Sequence, residues 1–274
     1  MSGPNENALR GADLISSRRG WSRGGNRMTK LISRVLAGLI VGATLSGFAI
    51  GAEPSGGAAK YSYLGATGPE HWGDLDPSFA TCKDGKAQSP IDIKDAEYSA
   101  SAGIKFDYNP GRLEVLDHDD SEVSDERGDA IVIDGKTYKL YNVHFHHPSE
   151  HTIAGKSFPL EAHLVHKADD GTLAVIGVMV VQGRADRGIS ELPDKDHPGR
   201  MDATAAALLP RSRGFYRYDG SLTTPPCGEG VIWSLMEHPI EMSAEQIAAF
   251  ESPTGDNARP VQPLNGRKIL RSNK

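Results

Sequence analysis

Only two cysteines, Cys82 and Cys227, occur in the 274 residues. So few exclude a disulfide-dense scaffold and a four-thiolate metal site. Basic residues are also in short supply, with 30 Lys and Arg against 36 Asp and Glu and a formal net charge of −6. A nucleic-acid binder needs a basic face to meet phosphates, and this balance argues against one. From Tyr61 onward there is no long segment of helical period, no internal repeat and no second domain boundary. What is present is turn-forming: 31 Gly and 17 Pro, without a repeat period, in a chain whose 38% hydrophobic content suffices for a core.

The first 52 residues differ from the rest. They hold seven basic residues and two acidic ones, then an uncharged run from Val35 to Ala52 ending in the small residues Ala49, Gly51 and Ala52. A basic start, an apolar middle and small residues at the end describe a secretory signal peptide, with Met28 as a candidate true start. An uncleaved membrane anchor is the alternative, because the run is about as long as the ~18–20 residues a span needs. Residues 53–60, EPSGGAAK, read as a flexible linker, and 61–274 as one domain. With residues 1–52 set aside, 23 basic residues face 34 acidic ones, a formal charge of −11. All ten histidines fall in this acidic part.

The body reads as short strands broken by Gly, Pro, Asn and Asp. AIVIDGKTYKLYNVHFH (130–146), LEAHLVHKA (160–168) and LAVIGVMVVQG (173–183) are the longest. Asp134-Gly135 between two such runs signals a hairpin. The charged run SEVSDERGD (121–129) reads as a solvated turn. Two short helices are expected, at MDATAAALL (201–209) and at SAEQIAAFES (243–252), where Ser243 is a good N-cap. The fold class is therefore mainly β (α+β), a single domain with short peripheral helices.

His144 and His146 are two apart in a strand-like run, so their side chains share a face. Two imidazoles on one face can bite one metal ion. His163 sits in a second strand-like run and joins them if the two strands are neighbours. Three neutral imidazoles leave a tetrahedral zinc site with one open position, the pattern of a catalytic centre. His147, His151 and His166 read as structural or supporting groups, since His147 and His166 must face the other way and His151 follows the Pro148 turn. Glu161 lies two before His163, placed to accept the distal N–H of a metal-bound imidazole. Glu150 can orient a hydroxyl, act as a base or serve as a ligand. The set His144, His146 and Glu150 also matches part of the first metal motif of cupins, but the Gly before the pair and the later Pro-x-Gly-x-x-His segment are missing.

SLTTPPC (221–227), VHFHHPSEHT (143–152) and LEAHLVH (160–166) together resemble the α-class carbonic anhydrases. GPEHWG (68–73), AQSPIDI (87–93) and NARPVQPLNGR (257–267) resemble further motifs of that family, in the same order. The resemblance spans about Tyr63 to Arg271. It implies a central, mostly antiparallel, twisted sheet of about ten strands with Zn2+ at the base of a conical cleft. It further implies reversible hydration of carbon dioxide to bicarbonate by zinc-bound hydroxide. His144, His146 and His163 match the family's zinc ligands. Thr223 matches the threonine that accepts from the hydroxide, and Glu150 the acceptor of that threonine's proton. Thr224 matches the neighbouring substrate-binding position. Val165, Val175, Leu222 and Trp233 match the apolar wall against which carbon dioxide sits. Glu161 matches the acceptor behind the third ligand, Asn142 stands where a Gln usually bonds the first, and Tyr63 matches a tyrosine of the ordered-water network.

The family's shuttle histidine has no direct counterpart. Aligning LDHDDSEV (116–123) on Val123 puts Asp119 at that position and His118 one before it, so His118 is either a proton shuttle or a surface histidine in an acidic loop. In many bacterial and secreted relatives the positions of Cys82 and Cys227 are bridged, which implies a disulfide here; two free thiols are the alternative. Export makes a bridge chemically allowed. The implied setting is periplasmic, or else secreted or membrane-anchored. The implied partners are carbon dioxide and bicarbonate, with sulfonamide and anion inhibitors, no nucleic acid, and a monomer or homodimer. A non-catalytic carbonic-anhydrase-like zinc-binding module is the second functional reading.

Overall fold

Alternation of apolar and polar residues makes the longest runs into strands of one curled sheet. A computed structural model describes residues 60–100, 103–109, 113–116, 128–191, 200–250 and 256–272. The expected signal peptide, nearly all of the linker, and His118 lie outside the described residues. By its contacts the chain divides at Pro54, and every strand and helix of the described residues belongs to the unit Ser55–Lys274.

The ten strands of the main sheet are β1 (Glu97–Ser99), β2 (Lys105–Asp107), β3 (Ala130–Ile133), β4 (Lys136–His146), β5 (Leu160–Lys167), β6 (Leu173–Gln182), β7 (Phe215–Ser221), β8 (Glu229–Met236), β9 (Ile240–Met242) and β10 (Leu270–Ser272). They run across the sheet in the order β1-β10-β7-β8-β6-β5-β4-β3-β2, with β9 alongside β6. The pairs β6–β8, β6–β9 and β1–β10 are parallel and the others antiparallel, so the expected ten-stranded, mostly antiparallel sheet is present. The β3–β4 turn is the one signalled by Asp134-Gly135, whose φ values of 51° and 81° suit the type I′ geometry of a two-residue hairpin.

The two faces of β5 show how the sheet sorts side chains. Leu160, Ala162 and Leu164 enter the larger core with Val143, Phe145 and Ile176. Glu161, His163, Val165 and Lys167 alternate with them and take the opposite face. That face carries the smaller cluster around Val165, Val175, Met179, Tyr218 and Trp233. His166, on the core face, is fully buried and sits 2.9 Å from the Tyr108 hydroxyl.

Helical structure is peripheral and short. Trp72–Leu75, Thr81–Asp84 and Ala244–Ala248 are the α-helices of the described residues. The last is started as expected, with Ser243 and Gln246 forming a reciprocal capping box. The expected helix at 201–209 does not form. Arg200–Ala203 instead pairs antiparallel with Leu113–Leu116, and the chain turns through Thr204–Leu209. Nine residues closed by Pro210 are too few to sustain a helix by propensity alone. Strand pairing and burial of Ala203, Ala205 and Leu208 decide the conformation instead.

Cys82 and Cys227 form a disulfide across a sequence separation of 145 residues, packed with Trp72 and Phe79. Closing so long a loop restricts the unfolded chain by an entropy worth about 5 kcal/mol. The Cys82→Ala/Cys227→Ala double variant is expected to lose stability up to that amount in urea unfolding; equal stability would contradict the assignment.

Burial pushes the pKa of His166 down from 6.5 to about 3, so this imidazole is neutral when folded. Because the unfolded state then binds the extra proton, stability is complete above about pH 6.5 and is lost as pH falls toward 3. The slope reaches about 1.4 kcal/mol per pH unit for one such group. His166→Gln is expected to flatten the stability profile in that window, and an unchanged slope would show that another group carries it.

Candidate metal centre

The antiparallel register of β4 and β5 sets His144 directly opposite His163, and His146 opposite Glu161. His144 and His146 share one face of β4 because they are two apart. The three imidazoles therefore converge, each buried, with one nitrogen from each within 4.8 Å of the others. His163 Nδ1 is 3.3 Å from His144 Nε2. Two nitrogens each about 2.0–2.1 Å from one tetrahedral zinc stand about 3.4 Å apart, so this spacing fits a single ion.

The outward nitrogens are held by acceptors. His144 Nδ1–H donates to Asn142 Oδ1. His146 Nδ1–H donates to the backbone carbonyl of Asn257 at 2.8 Å. His163 Nε2 lies 2.9 Å from Glu161 Oε1. Each contact draws the ring proton outward and turns a lone pair inward. Burial, reinforced by His146 and His163, holds the pKa of His144 well below its usual value. Burial likewise lowers that of His163, against the pull of Glu161. Three inward lone pairs, two of them on imidazoles that resist protonation, are a donor set for a cation.

Glu161 continues the network. It receives the backbone N–H and Nδ1–H of His151, both at 2.8 Å. His151 Nε2 is 2.6 Å from the Tyr218 hydroxyl, which is 2.8 Å from Ser89 Oγ. Burial alone would raise the pKa of Glu161, but His151 and His163 hold it well below the carboxylate range. His151, Glu161 and His163 also cluster tightly, yet their atoms are spent on one another, so this second grouping is a brace.

Beside the triad, Glu150 is buried with Oε2 at 3.4 Å from His146 Nε2 and 4.0 Å from His163 Nδ1. Its Oε1 accepts the backbone N–H of Arg259 at 2.9 Å. The Arg259 guanidinium is itself buried, donating to Gln88 Oε1, to the Ser89 carbonyl and to the Cys82 carbonyl.

A cavity of about 320 Å³ opens from His144 and His163. Asn142, Val165, Val175 and Trp233 are successive partners across four neighbouring strands and form one row of its wall. Leu222, Thr223 and Thr224, from the segment after β7, complete it. The structure thus brings together the sequence-predicted residues His144, His146, His163, Glu150, Glu161 and Asn142, and lines the same cavity with Thr223, Thr224, Val165, Val175, Leu222 and Trp233. The ring of Tyr63 meets Trp72 edge-on at 5.5 Å. No pattern in the sequence gives Asn257, Arg259 or Tyr218 a role at the site, although the first two fall within a family-like motif. Asn257 and Arg259 stand in the segment NARPVQPLNGR, whose role becomes visible only when folding brings it beside β4.

The family model for eukaryotic-type carbonic anhydrase matches residues 67–273. A carbonic anhydrase of Pectobacterium carotovorum is 40% identical over 222 residues, 78% of this chain and 91% of that protein. Dioscorin DB3S of Dioscorea polystachya is 33% identical over 231 residues, 77% of this chain and 86% of that protein. The α-carbonic anhydrase of Thermovibrio ammonificans, solved with the inhibitor sulfanilamide, is 41% identical with a TM-score of 0.71, covering 78% of this chain and all of that one.

The donor geometry makes a direct expectation about metal content. Elemental analysis of the purified chain should find one tightly held divalent transition ion. His163→Ala should remove it. Glu161→Gln should retain it with an affinity about 10–100-fold weaker. A full equivalent of metal in His163→Ala would refute the triad as the binding site.

Proposed function

The chain belongs to the eukaryotic-type carbonic anhydrase family of enzymes, and from that membership we propose that it catalyses the reversible hydration of carbon dioxide to bicarbonate and a proton. Zn2+ is held by His144, His146 and His163 in this reading. The observation that carries it is the meeting of three buried imidazoles, two of which line an apolar-walled cavity. Zinc in a three-histidine site lowers the pKa of a water to about 7, a value established for carbonic anhydrases as a class and not obtained from this chain, and so supplies hydroxide at neutral pH.

The chain's own residues bind and orient. Carbon dioxide is neutral and apolar, and Val165, Val175, Leu222 and Trp233 offer it a wall with few competing hydrogen bonds. Trp233 spends its indole N–H on the Ser221 carbonyl at 2.9 Å, which leaves only ring surface for the cavity. Thr223 is buried against the same space and carries a hydroxyl that can accept one proton and donate its own. Glu150, fixed through Oε1 by Arg259, accepts the proton of Thr223, so that the threonine has a lone pair left to orient the attacking oxygen. Thr224 takes the neighbouring substrate position. Glu161, Asn142 and the Asn257 carbonyl hold the ligand rings in the required tautomers.

Residues 61–274 form the catalytic domain in this reading. The Cys82–Cys227 disulfide and the bacterial relatives support an exported enzyme, with the periplasm as its compartment. The relative solved with sulfanilamide supports inhibition by sulfonamides. A non-catalytic carbonic-anhydrase-like zinc-binding module is the competing reading, against which the complete ligand set argues.

Stopped-flow hydration of carbon dioxide tests the proposal. The metal-loaded chain is expected to accelerate proton release well above the buffer blank, to lose that acceleration to a zinc chelator and to regain it with added zinc. Thr223→Ala and Glu150→Gln should each lower kcat about 100-fold, by removing positioned hydrogen bonds, while retaining metal. A zinc-loaded wild-type chain no faster than the blank would favour the binding module.

A further inference from the structure

The strand that carries the first two histidines has an extra residue. Between Leu140, opposite His166, and Asn142, opposite Val165, Tyr141 has no partner of its own on β5. Such a bulge turns two successive side chains to one face. Leu140 keeps its place in the larger core, and both Tyr141 and Asn142 line the cavity. Tyr141 thereby becomes a platform. The ammonium of Lys167 stands 4.8 Å from the centre of its ring.

Lys167 is four residues along β5 from His163 on the same face, about 13 Å by strand rise. It is solvent-exposed and lines the outer part of the cavity. No other residue of the lining carries a fixed charge. The adjoining turn has two carboxylates that could neutralise it, Asp169 and Asp170. Both are engaged elsewhere, Asp170 by Lys136 at 2.6 Å and Asp169 by Lys139 at 3.2 Å. Among the described residues no carboxylate forms an ion pair with Lys167.

The cation also stands in an unusual setting for this chain. Residues 53–274 carry a formal charge of −11, so a small anion approaching the surface is repelled on average. A single uncompensated cation over an aromatic ring, at the rim of an apolar-walled cleft, focuses a local attractive potential where the global one is repulsive. The substrate and product of the proposed reaction differ in this respect. Carbon dioxide is neutral and needs no such help, whereas bicarbonate is a monoanion.

We propose that Lys167, presented by the Tyr141 bulge, is an anion-receiving residue that draws bicarbonate and other small monoanions into the cleft. The proposal rests on the carbonic anhydrase reading for the identity of its natural anion. Lys167 acts on the approach and retention of the anion, and takes no part in bond making.

Thiocyanate is a suitable probe, since it is a small monoanion that does not titrate near neutral pH. Its inhibition constant against carbon dioxide hydration is measured at low and high ionic strength for wild type, Lys167→Met, Lys167→Arg and Lys86→Met. Lys86 is exposed and lies outside the cavity lining, so its removal controls for net charge without releasing the carboxylates beside Lys167. At about 10 mM salt the constant should rise about 3–10-fold in Lys167→Met, stay within about twofold of wild type in Lys167→Arg, and not move in Lys86→Met. At about 0.5 M salt the difference should close. An unchanged constant in Lys167→Met at low salt, or an equal rise in Lys86→Met, overturns the proposal. Calorimetric titration of thiocyanate into the same zinc-loaded proteins reads the affinity ratio without catalysis. A wild type that binds thiocyanate in a Lys167-dependent way but hydrates no carbon dioxide would therefore sink the reaction assignment and leave the anion site standing.

Discussion

Everything at the centre of this molecule depends on one register, the pairing of His144 on β4 with His163 on β5. Side chains alternate along a strand, so a slip of one residue would send His163 to the core face and bring Leu164 or Ala162 to the site. Burial on both faces makes that slip costly. The core face of β5 carries Leu160, Ala162 and Leu164, and the cleft face carries Glu161, His163 and Val165. Exchanging them would leave a carboxylate and an imidazole in the apolar core while exposing leucines to a polar centre. The hydrophobic effect and the cost of burying unpaired polar groups thus enforce the same geometry that gathers the imidazoles.

Gathering them creates the next requirement. Buried imidazoles free to rotate would not hold their lone pairs at one point. Each ring is pinned from behind by a different acceptor: a side-chain amide two residues away, a backbone carbonyl from the chain's C-terminal segment, and a carboxylate two residues away. The carboxylate must itself be fixed, and it is, through His151, Tyr218 and Ser89, which Ser221 then closes by exchanging backbone-to-hydroxyl bonds with Ser89 at 2.9 and 3.0 Å. The chain of partners ends on backbone groups, which cannot swing away. Linked polar groups of this kind hold one another in one arrangement.

How much of this is legible in the sequence depends on the range of each interaction. The β3–β4 hairpin is readable because a turn is decided by the residues in it. The pair His144 and His146 is readable because strand alternation is local. That His163 meets them requires β4 and β5 to be neighbours, which spacing alone leaves open and the six-motif resemblance supplies. The Ala-rich stretch 201–209 reads as helix because its composition favours one, whereas its conformation is settled by a strand at Leu113–Leu116, far away in sequence. Asn257 and Arg259 escape for the same reason. Their partners His146 and Glu150 lie 111 and 109 positions away, and no local pattern marks a backbone carbonyl or N–H as part of a site. The Tyr141 bulge is equally silent in sequence, since it exists only as a mismatch between two paired strands.

The disulfide belongs to the same logic of long-range bracing. Cys82 and Cys227 come from segments 145 positions apart, each hydrogen-bonded to a different part of the site. On one side, the Cys82 carbonyl accepts from Arg259 Nη2, and the Arg259 backbone N–H holds Glu150. On the other, the Cys227 backbone N–H donates to the Thr224 carbonyl at 2.8 Å, next to Thr223. Glu150 and Thr223, the two groups proposed to share a proton, are thus each reached from one half of a single covalent bridge. Neither connection is a contact of the sulfur atoms themselves. The bridge limits how far its two flanking segments can separate, and the backbone bonds transmit that limit to the carboxylate and the hydroxyl. If Glu150 and Thr223, 73 positions apart, are to share a proton, they need such a constraint more than extra packing, because packing tolerates shifts of a few tenths of an ångström that a hydrogen bond between two small polar groups does not.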